Sequence, residues 1–455
     1  MLGLLVSISV GFGEWKASVA SVNITPTNAM WMAGYASRQG PGEGKTTDLF
    51  AKVLVLEDAR GTRLAVVTLD LIGVPADLRL EWETAFRSLG IPPANLVINA
   101  SHTHSGPMIR LVPAFTKDGA ERAAYDRVPA DREAEFVAAT KAYRARVSAG
   151  VLGAARDCLE RLEASELLFS QARCGFAMNR RLPTDRGFIN SPNPDGPVDH
   201  AVPVLQVRDA KGKAKAIVFG YACHNTVLGF MSYSGDYAGW AQRYVEEDQP
   251  GAVAMFVTGC GGDQNPYPRR NAIWAERHGR SLADAVAAGL EANPKRVGDS
   301  LRTAFERVDI AYAPAPPRVE LEARAKSKDR YDKRHAELLL EYLDARGSLP
   351  TRYPYPVQAI RFGNELTLVT LGGEVVVDYS LRLKGELTGT PLWVAGYSND
   401  VMGYIPSLRV LREGGYEGGG AMRYVRAVPH PGPWAESVEE TIVGRVRELY
   451  RAVSK

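Results

Sequence analysis

The segment at 101–107, with the sequence SHTHSGP, contains the residues best suited to chemistry, because it places His102 and His104 two positions apart. The chain has seven histidines, so a pair at this spacing is informative. An apolar stretch at 96–100 precedes the pair and predicts a buried strand. Side chains two positions apart in an extended chain point the same way, so both imidazoles would face one site. Such a pair could bind a metal ion or exchange protons; two unrelated structural histidines are the alternative.

A third histidine, His224, follows another apolar stretch, at 216–219. On its own it would more often be a structural residue, but its position after a predicted strand matches that of His102. Further along, Asp236 begins a predicted helix, where it could cap the helix N-terminus or support the site.

A glycine-rich turn at 259–262 follows a predicted strand and leads to Asp263 and Asn265. Glycines let the backbone approach a ligand closely. A phosphate loop is disfavoured because its lysine and its spacing are missing. The turn therefore predicts either a loop that contacts a ligand or a tight structural turn.

Glu374 lies on a glycine turn after a predicted strand at 366–371. It could bind a metal, act as a base or stabilise a helix N-terminus. Tyr404 and Tyr416 lie twelve positions apart in two further glycine-containing segments, but the chain has 19 tyrosines, so the residues alone do not single out these two.

Short apolar strands ending in polar or glycine-rich loops recur along the chain and predict an α/β fold with mixed β-sheets flanked by helices. Predicted strands lie at 17–24, 52–57, 64–70, 96–100, 202–207, 216–222, 253–258, 304–311, 357–362 and 366–371. Predicted helices lie between 75 and 90 and at 131–164, 236–247, 271–292, 328–346 and 435–453. The stretch at 314–317 is a linker candidate and 191–197 a predicted loop, but chemistry-bearing segments flank both. We therefore predict a single catalytic domain over 14–455.

Composition restricts the class of protein. The 55 basic and 52 acidic residues give a net charge of +3, which argues against a nucleic-acid-binding protein with a broad basic surface. No stretch is long and apolar enough to cross a membrane. The four cysteines form no CxxC pair, so we expect buried packing residues rather than a zinc ribbon. Residues 1–13 are either a signal-peptide remnant, which would make the protein secreted or periplasmic, or an apolar first strand of a cytoplasmic protein; we favour export.

In this order, these segments resemble the catalytic domain of neutral and alkaline ceramidases, which are zinc-dependent amidases that hydrolyse the N-acyl bond of ceramide. The opening phrases at 20–26 and 32–35 are similar too, so the resemblance extends from about Trp15 to the end of the chain. It implies a Zn²⁺ cofactor with four ligands: His102, His224, Glu374 and Tyr404. Three or four protein ligands with an exchangeable water are typical of a catalytic zinc.

The resemblance also implies the groups that act on the substrate. His104 matches the general base and proton shuttle, and Arg180 and Tyr416 match groups that stabilise charge developing on the carbonyl oxygen. Asn265, close to Asp263 in the same motif, replaces a serine implicated in catalysis in the family, so we expect attack by a metal-activated water rather than an acyl-enzyme. The family also has a C-terminal immunoglobulin-like domain, and this chain ends where that domain would begin.

We therefore predict a zinc hydrolase that cleaves an N-acyl amide in a small-molecule or lipid-like acyl substrate, with no nucleic-acid partner. Cleavage of an ester, a lactone or a carbohydrate derivative at the same site is one alternative. A non-catalytic binding protein is another, motivated by Asn265. An amidohydrolase barrel is disfavoured because that fold usually has its histidine pair on the first strand, whereas His102 and His104 follow several predicted strands. A metallo-β-lactamase fold is disfavoured because no Asp-His follows His104. The sequence gives neither the exact substrate nor the oligomeric state.

Overall fold

The computed structural model describes residues 15–113, 121–124 and 127–455. In these ranges two β-sheets pack face to face, and helices cover the outer face of each sheet. This four-layer arrangement confirms the predicted α/β fold of mixed sheets flanked by helices. The segment 1–13, predicted as a signal-peptide remnant or a first strand, lies outside the described residues, so export stays a prediction.

The first sheet has nine strands and is mostly antiparallel. Its main strands, in order across the sheet, are Val253–Thr258, Ala214–Tyr221, Ala201–Asp209, Glu163–Arg173, Trp15–Asn23, Phe50–Glu57, Arg63–Leu69 and Leu96–Ala100. The short strand Lys295–Arg296 pairs with Glu163–Arg173. The pair at each edge is parallel, so both edges present carboxyl-terminal strand ends next to one another.

The second sheet has four strands: Leu301–Ala311, Arg352–Phe362, Leu366–Leu371 and Leu392–Ala395. Its last pair is parallel. After the strands of the last pair, the chain forms a two-stranded parallel ribbon, Glu374–Val375 with Tyr404–Ile405. The remaining strands form a three-stranded sheet, Gln264–Pro266 with Ala177–Thr184 and Gly187–Asn193, and a pair, Leu111–Val112 with Arg122–Ala123.

Most of the described helices pack on the outer faces of the two sheets. The described helices are Ala76–Ser88, Glu133–Glu160, Asp236–Asp248, Ala272–Glu291, Arg318–Arg324, Arg330–Arg346, Val377–Glu386, Leu408–Glu413 and Val438–Ser454. The first four pack on the first sheet, and Val438–Ser454 packs on the second. Among the described helices, none has both the length and the apolar character needed to cross a membrane.

Apolar side chains between the two sheets fix their relative position. Leu54 and Val218 of the first sheet share one buried cluster with Ile360, Leu368 and Trp393 of the second. Each large aliphatic side chain that is fully buried stabilises the fold by about 1.5–3 kcal/mol. This packing brings the strand ends of both sheets to one place.

Several predicted boundaries differ from the structure. The helix predicted at 131–164 ends at Glu160, because the strand Glu163–Arg173 begins there. The loop predicted at 191–197 overlaps the strand Gly187–Asn193. The linker candidate at 314–317 connects the strand Leu301–Ala311 to the helix Arg318–Arg324. All four cysteines are buried and free, as predicted.

Candidate metal centre

The two edges of the first sheet meet where the histidine-bearing segments begin. The backbone N–H of Thr258 donates to Asn99 Oδ1 at 2.8 Å, and Thr258 Oγ1 donates to the carbonyl oxygen of Ala100 at 2.8 Å. His102 follows one edge pair of strands and His224 follows the other. Closing the sheet in this way brings the ring centroids of the two histidines to 4.9 Å.

His102 does not continue the extended strand. Its φ is 59°, and its backbone N–H donates to the carbonyl oxygen of Leu71 at 3.0 Å. The argument that an extended chain aligns His102 with His104 is therefore wrong, although the rings do meet. His104 Nε2 lies 3.2 Å from His102 Nε2, because the left-handed turn rather than the strand directs both rings.

Backbone carbonyls orient two of the three imidazoles. His102 Nδ1 lies 2.6 Å from the carbonyl oxygen of Ile72, and His224 Nδ1 lies 2.6 Å from that of Gly261. A carbonyl oxygen can only accept, so each Nδ1 carries the proton and each Nε2 presents a lone pair. This is the way in which proteins usually orient histidines that bind a metal.

Glu374 and Tyr404 complete the group of facing donor atoms. They are directly opposite in the two-stranded ribbon. Glu374 Oε2 lies 3.2 Å from His102 Nε2 and 3.3 Å from His224 Nε2. Tyr404 Oη lies 3.2 Å from His224 Nε2.

The donor atoms fit a metal ion. Glu374 Oε2 is buried and has no hydrogen-bond partner, although two imidazole nitrogens lie within 3.3 Å. Donors around one tetrahedral ion with bonds of about 2.0–2.1 Å lie roughly 3.3 Å apart, which matches these separations. His102, His104 and His224 also form a possible metal-binding group. Distance alone therefore does not show whether His104 is a metal ligand, and its surroundings have to decide.

The electrostatics of the site favour electron-pair donors. Burial alone would raise the pKa of Glu374, but His102 and His224 outweigh it and hold the pKa well below its usual range. Burial, with Arg180 nearby, lowers the pKa of His224 to about 3. Tyr404 differs, because burial raises its pKa well above the usual value, against the opposing effect of Arg180, so the phenol keeps its proton unless a bound metal ion displaces it. The imidazole is therefore neutral and the carboxylate ionised, as a metal requires.

Arg180 lies behind Tyr404 in a buried network. Its Nη2 donates to Tyr404 Oη at 2.9 Å, and its Nε donates to Glu417 Oε1 at 2.8 Å. The other oxygen of Glu417 accepts from Arg181 Nη1 at 2.7 Å. Tyr416 packs beside Tyr404 with ring centroids 5.3 Å apart, and it is 40% exposed.

Asp263 and Asn265 occupy different positions relative to the site. The carboxylate of Asp263 accepts from the backbone N–H of Val377 at 2.8 Å and from Asn179 Nδ2 at 3.0 Å, so it links the start of the helix Val377–Glu386 to the strand Ala177–Thr184. Asn265 Oδ1 accepts from Arg180 Nη1 at 3.3 Å. Its side chain faces a cavity beside the site.

Two cavities adjoin His104, Tyr404 and Tyr416, which line both. One, the apolar cavity, has a volume of about 370 Å³ and exposes more apolar than polar surface, from side chains such as Ile72, Met108 and Val425. Arg110, Arg127, Arg330 and Glu374 also line it. The other, the polar cavity, has a volume of about 430 Å³; Arg180, Asn190, Thr226, Asn265, Arg269 and Arg270 are among its lining residues.

Sequence reasoning missed two residues that shape the site. Glu417 follows Tyr416 directly, and no pattern indicated that its carboxylate compensates two buried arginines. Gly34 lies so close to His104 that an added Cβ would be 2.4 Å from the ring. The glycine in the opening phrase at 32–35 was the signal that could have identified this contact.

The fold and the site together define a layered α/β protein with a candidate metal centre at the strand ends. No family model matches the chain, and no curated protein matches it. Solved structures do match it. Among them are a ceramidase complexed with C2, with a TM-score of 0.71, and the neutral ceramidase from Pseudomonas aeruginosa, with a TM-score of 0.70. Both are 18% identical to this chain and cover 97% of it; the match covers 75% and 74% of their chains, respectively. The chain has the fold of neutral ceramidases, so the resemblance is confirmed at that level.

Proposed function

We propose that the protein is a zinc-dependent hydrolase that cleaves an N-acyl amide, with a ceramide-like substrate as the first candidate. One observation carries the proposal: donor atoms of His102, His224, Glu374 and Tyr404 face one another, and His102, Glu374 and Tyr404 line a cavity that could admit a substrate. The neutral-ceramidase fold supports the choice of an amide bond.

The surroundings of the histidines support His102 and His224, rather than His104, as ligands. A histidine that binds a metal nearly always donates its second ring N–H to a fixed acceptor. His102 and His224 have such acceptors at 2.6 Å. His104 Nδ1 is buried and has no hydrogen-bond partner among the described residues, so no fixed acceptor holds a proton on that nitrogen.

A bound zinc ion would lower the pKa of a water molecule, so that the water could lose a proton near neutral pH and become a nucleophile for a carbonyl carbon. His104 lines both cavities and would take a proton from that water and return one to the leaving nitrogen. Burial, together with His102 and His224, lowers the pKa of His104 well below its usual value. A neutral imidazole is the form that can accept a proton.

Tyr416 and Arg180 would stabilise the oxyanion in different ways. The hydroxyl of Tyr416 is available to donate to the substrate carbonyl oxygen, since its ring is partly exposed and lines both cavities. Arg180 is already bound to Tyr404, so it would act mainly by favouring negative charge on the phenol oxygen. Fixed donors of this kind stabilise transition states strongly in a site that excludes water.

Asn265 and Asp263 would position other groups rather than react. Asn265 accepts from Arg180 and faces the polar cavity, so it would orient the substrate and the guanidinium. Asp263 lines neither cavity among the described residues. Its contacts with Asn179 and Val377 would hold the ribbon that carries Glu374 in place.

Hydrolysis of a short-chain ceramide and of matched esters, with and without a chelator, tests the proposal. We expect amide cleavage that is lost on chelation and restored by zinc. Faster cleavage of the ester, lactone or carbohydrate derivatives would favour the alternative substrates. Absence of zinc-dependent turnover over a broad panel would contradict the proposal and favour a binding protein.

A further inference from the structure

The polar cavity carries an excess of positive charge. Arg180, Arg269 and Arg270 line it, and no carboxylate does so among the described residues. Cavities lined by one sign of charge attract ligands of the opposite sign. The charge of Arg180 is already compensated by Glu417 at 2.8 Å, so the excess rests on the other two arginines.

Arg269 forms no direct ion pair in the part of the chain that the structure describes, although the buried Asp236 lies near enough to interact with its charge. Its Nε is buried and makes no hydrogen bond. Asp236 interacts with it electrostatically, but the oxygens of Asp236 are occupied by the backbone N–H groups of Val227, Leu228 and Tyr237. A partly buried guanidinium without an acceptor is costly unless a ligand supplies one.

Arg270 is held on the same side of the reaction centre. Its guanidinium lies 5.1 Å from the ring centroid of Tyr35, and that ring lies 4.9 Å from the ring of His104. Its backbone N–H donates to the carbonyl oxygen of Val227 at 2.7 Å. The two arginines therefore place two cations beside the proposed proton carrier, Arg269 partly buried and Arg270 exposed.

We propose that Arg269 and Arg270 bind a carboxylate on the amine half of the substrate, so that the preferred substrates are N-acyl amino acids. This inference rests on the proposed amide hydrolysis. The apolar cavity suits the acyl chain, which leaves the polar cavity for the group on the other side of the scissile bond. Guanidinium groups form paired hydrogen bonds with carboxylates, and a neutral amine half would offer Arg269 no charged acceptor.

The reaction is a hydrolysis that needs no further reactant. The oxygen of water bonds to the acyl carbon, and the bond from that carbon to nitrogen breaks. The nitrogen takes up a proton and leaves as the amino group of the free amino acid. The other product is the carboxylate of the acyl chain.

The test compares N-octanoylglycine with N-octanoylglycinamide, which has nearly the same shape and no charge. For the native protein we expect kcat/KM to be at least about tenfold higher for the carboxylate, because a charge-assisted hydrogen bond exceeds a neutral one. Arg269→Gln removes this preference while cleavage of the neutral amide persists. Arg243→Gln, which removes an exposed arginine paired with Glu247 on a helix, leaves the preference unchanged.

The outcomes separate this inference from the proposed function. Equal cleavage of both compounds by the native protein overturns the carboxylate subsite and leaves amide hydrolysis intact. A clear preference for N-octanoyl-phosphoethanolamine over N-octanoylglycine would also overturn the carboxylate subsite and leave amide hydrolysis intact. If neither glycine compound is cleaved, calorimetry of their binding to the native protein decides: tighter binding of N-octanoylglycine supports the subsite, and equal or absent binding overturns it.

Discussion

At the scale of single residues, His102 and His104 belong to one motif but have different surroundings. The carbonyl oxygen of Ile72 fixes the ring of His102, whereas His104 Nδ1 has no hydrogen-bond partner. Their proposed roles as ligand and proton carrier follow from this difference. The motif could predict that both rings reach one site, but it could not indicate a carbonyl 30 positions away.

Glu417 tests the buried charge network. Glu417→Gln leaves Arg180 and Arg181 without their shared carboxylate, so we expect unfolding free energy to fall by about 3–5 kcal/mol and kcat to fall with it. Denaturant unfolding and amide hydrolysis measure the two effects.

The control for this prediction is Glu413→Gln. Glu413 also contacts Arg181, at 3.1 Å, but it is 20% exposed, so we expect a loss of about 1 kcal/mol or less. Equal losses in the two variants would show that the network around Arg180 has no special role.

At the scale of elements, continuous apolar stretches predicted strands accurately. The bounds of Leu96–Ala100, Val253–Thr258 and Leu366–Leu371 match the prediction, because both faces of these strands are buried. The strand Gly187–Asn193 is polar, largely exposed and contains Pro192, so its sequence resembles a loop. Such a strand forms because its neighbour offers hydrogen bonds, which no local pattern reveals.

Replacing Gly34 tests whether the contact between its segment and His104 positions the imidazole. A Cβ in Gly34→Ala would lie 2.4 Å from the imidazole, at a φ of 96°, so the ring must move. We expect amide hydrolysis to fall at least about tenfold, since small displacements of catalytic groups are costly, while zinc content is retained.

Gly44→Ala is the matched control. Gly44 has a φ of 126°, but an added Cβ would meet no atom within 4 Å. This variant has the backbone strain without the contact. If both variants lose activity equally, strain rather than contact with His104 explains the effect.

The buried ion pair of Asp199 should make the free energy of unfolding depend on pH. It joins the helix Val377–Glu386 to the first sheet through Lys384 at 2.6 Å and Ser380 at 2.6 Å. Burial raises the pKa of Asp199, but Lys384 and Ser380 outweigh it, so the pKa lies below its usual value. A carboxylate with a lowered pKa stabilises the fold above its unfolded pKa, and that contribution is lost as pH falls through the folded pKa.

Asp199→Asn should therefore lower unfolding free energy by about 1–3 kcal/mol near neutral pH. The difference from the native protein should shrink as pH falls below about 4, the ordinary pKa of an aspartate. Denaturant unfolding over a range of pH measures it. A difference that does not change with pH would contradict the assigned ion pair.

At the scale of the whole molecule, the proposed metal ligands come from both sheets. The first sheet supplies His102 and His224, and the ribbon that extends from the second supplies Glu374 and Tyr404. Sequence patterns could not show that these positions meet, because the packing between the sheets decides it. Only resemblance to neutral ceramidases connected the four residues before the structure did.

The metal content of the native protein and of two histidine variants tests the central claim most directly. We predict stoichiometric zinc in the native protein and in His104→Ala, and a loss of zinc in His224→Ala. Amide hydrolysis by His104→Ala should fall by about 10²–10⁴-fold, the usual contribution of a general base. A native protein that binds no zinc, or a His104→Ala variant that loses zinc as His224→Ala does, would contradict the account.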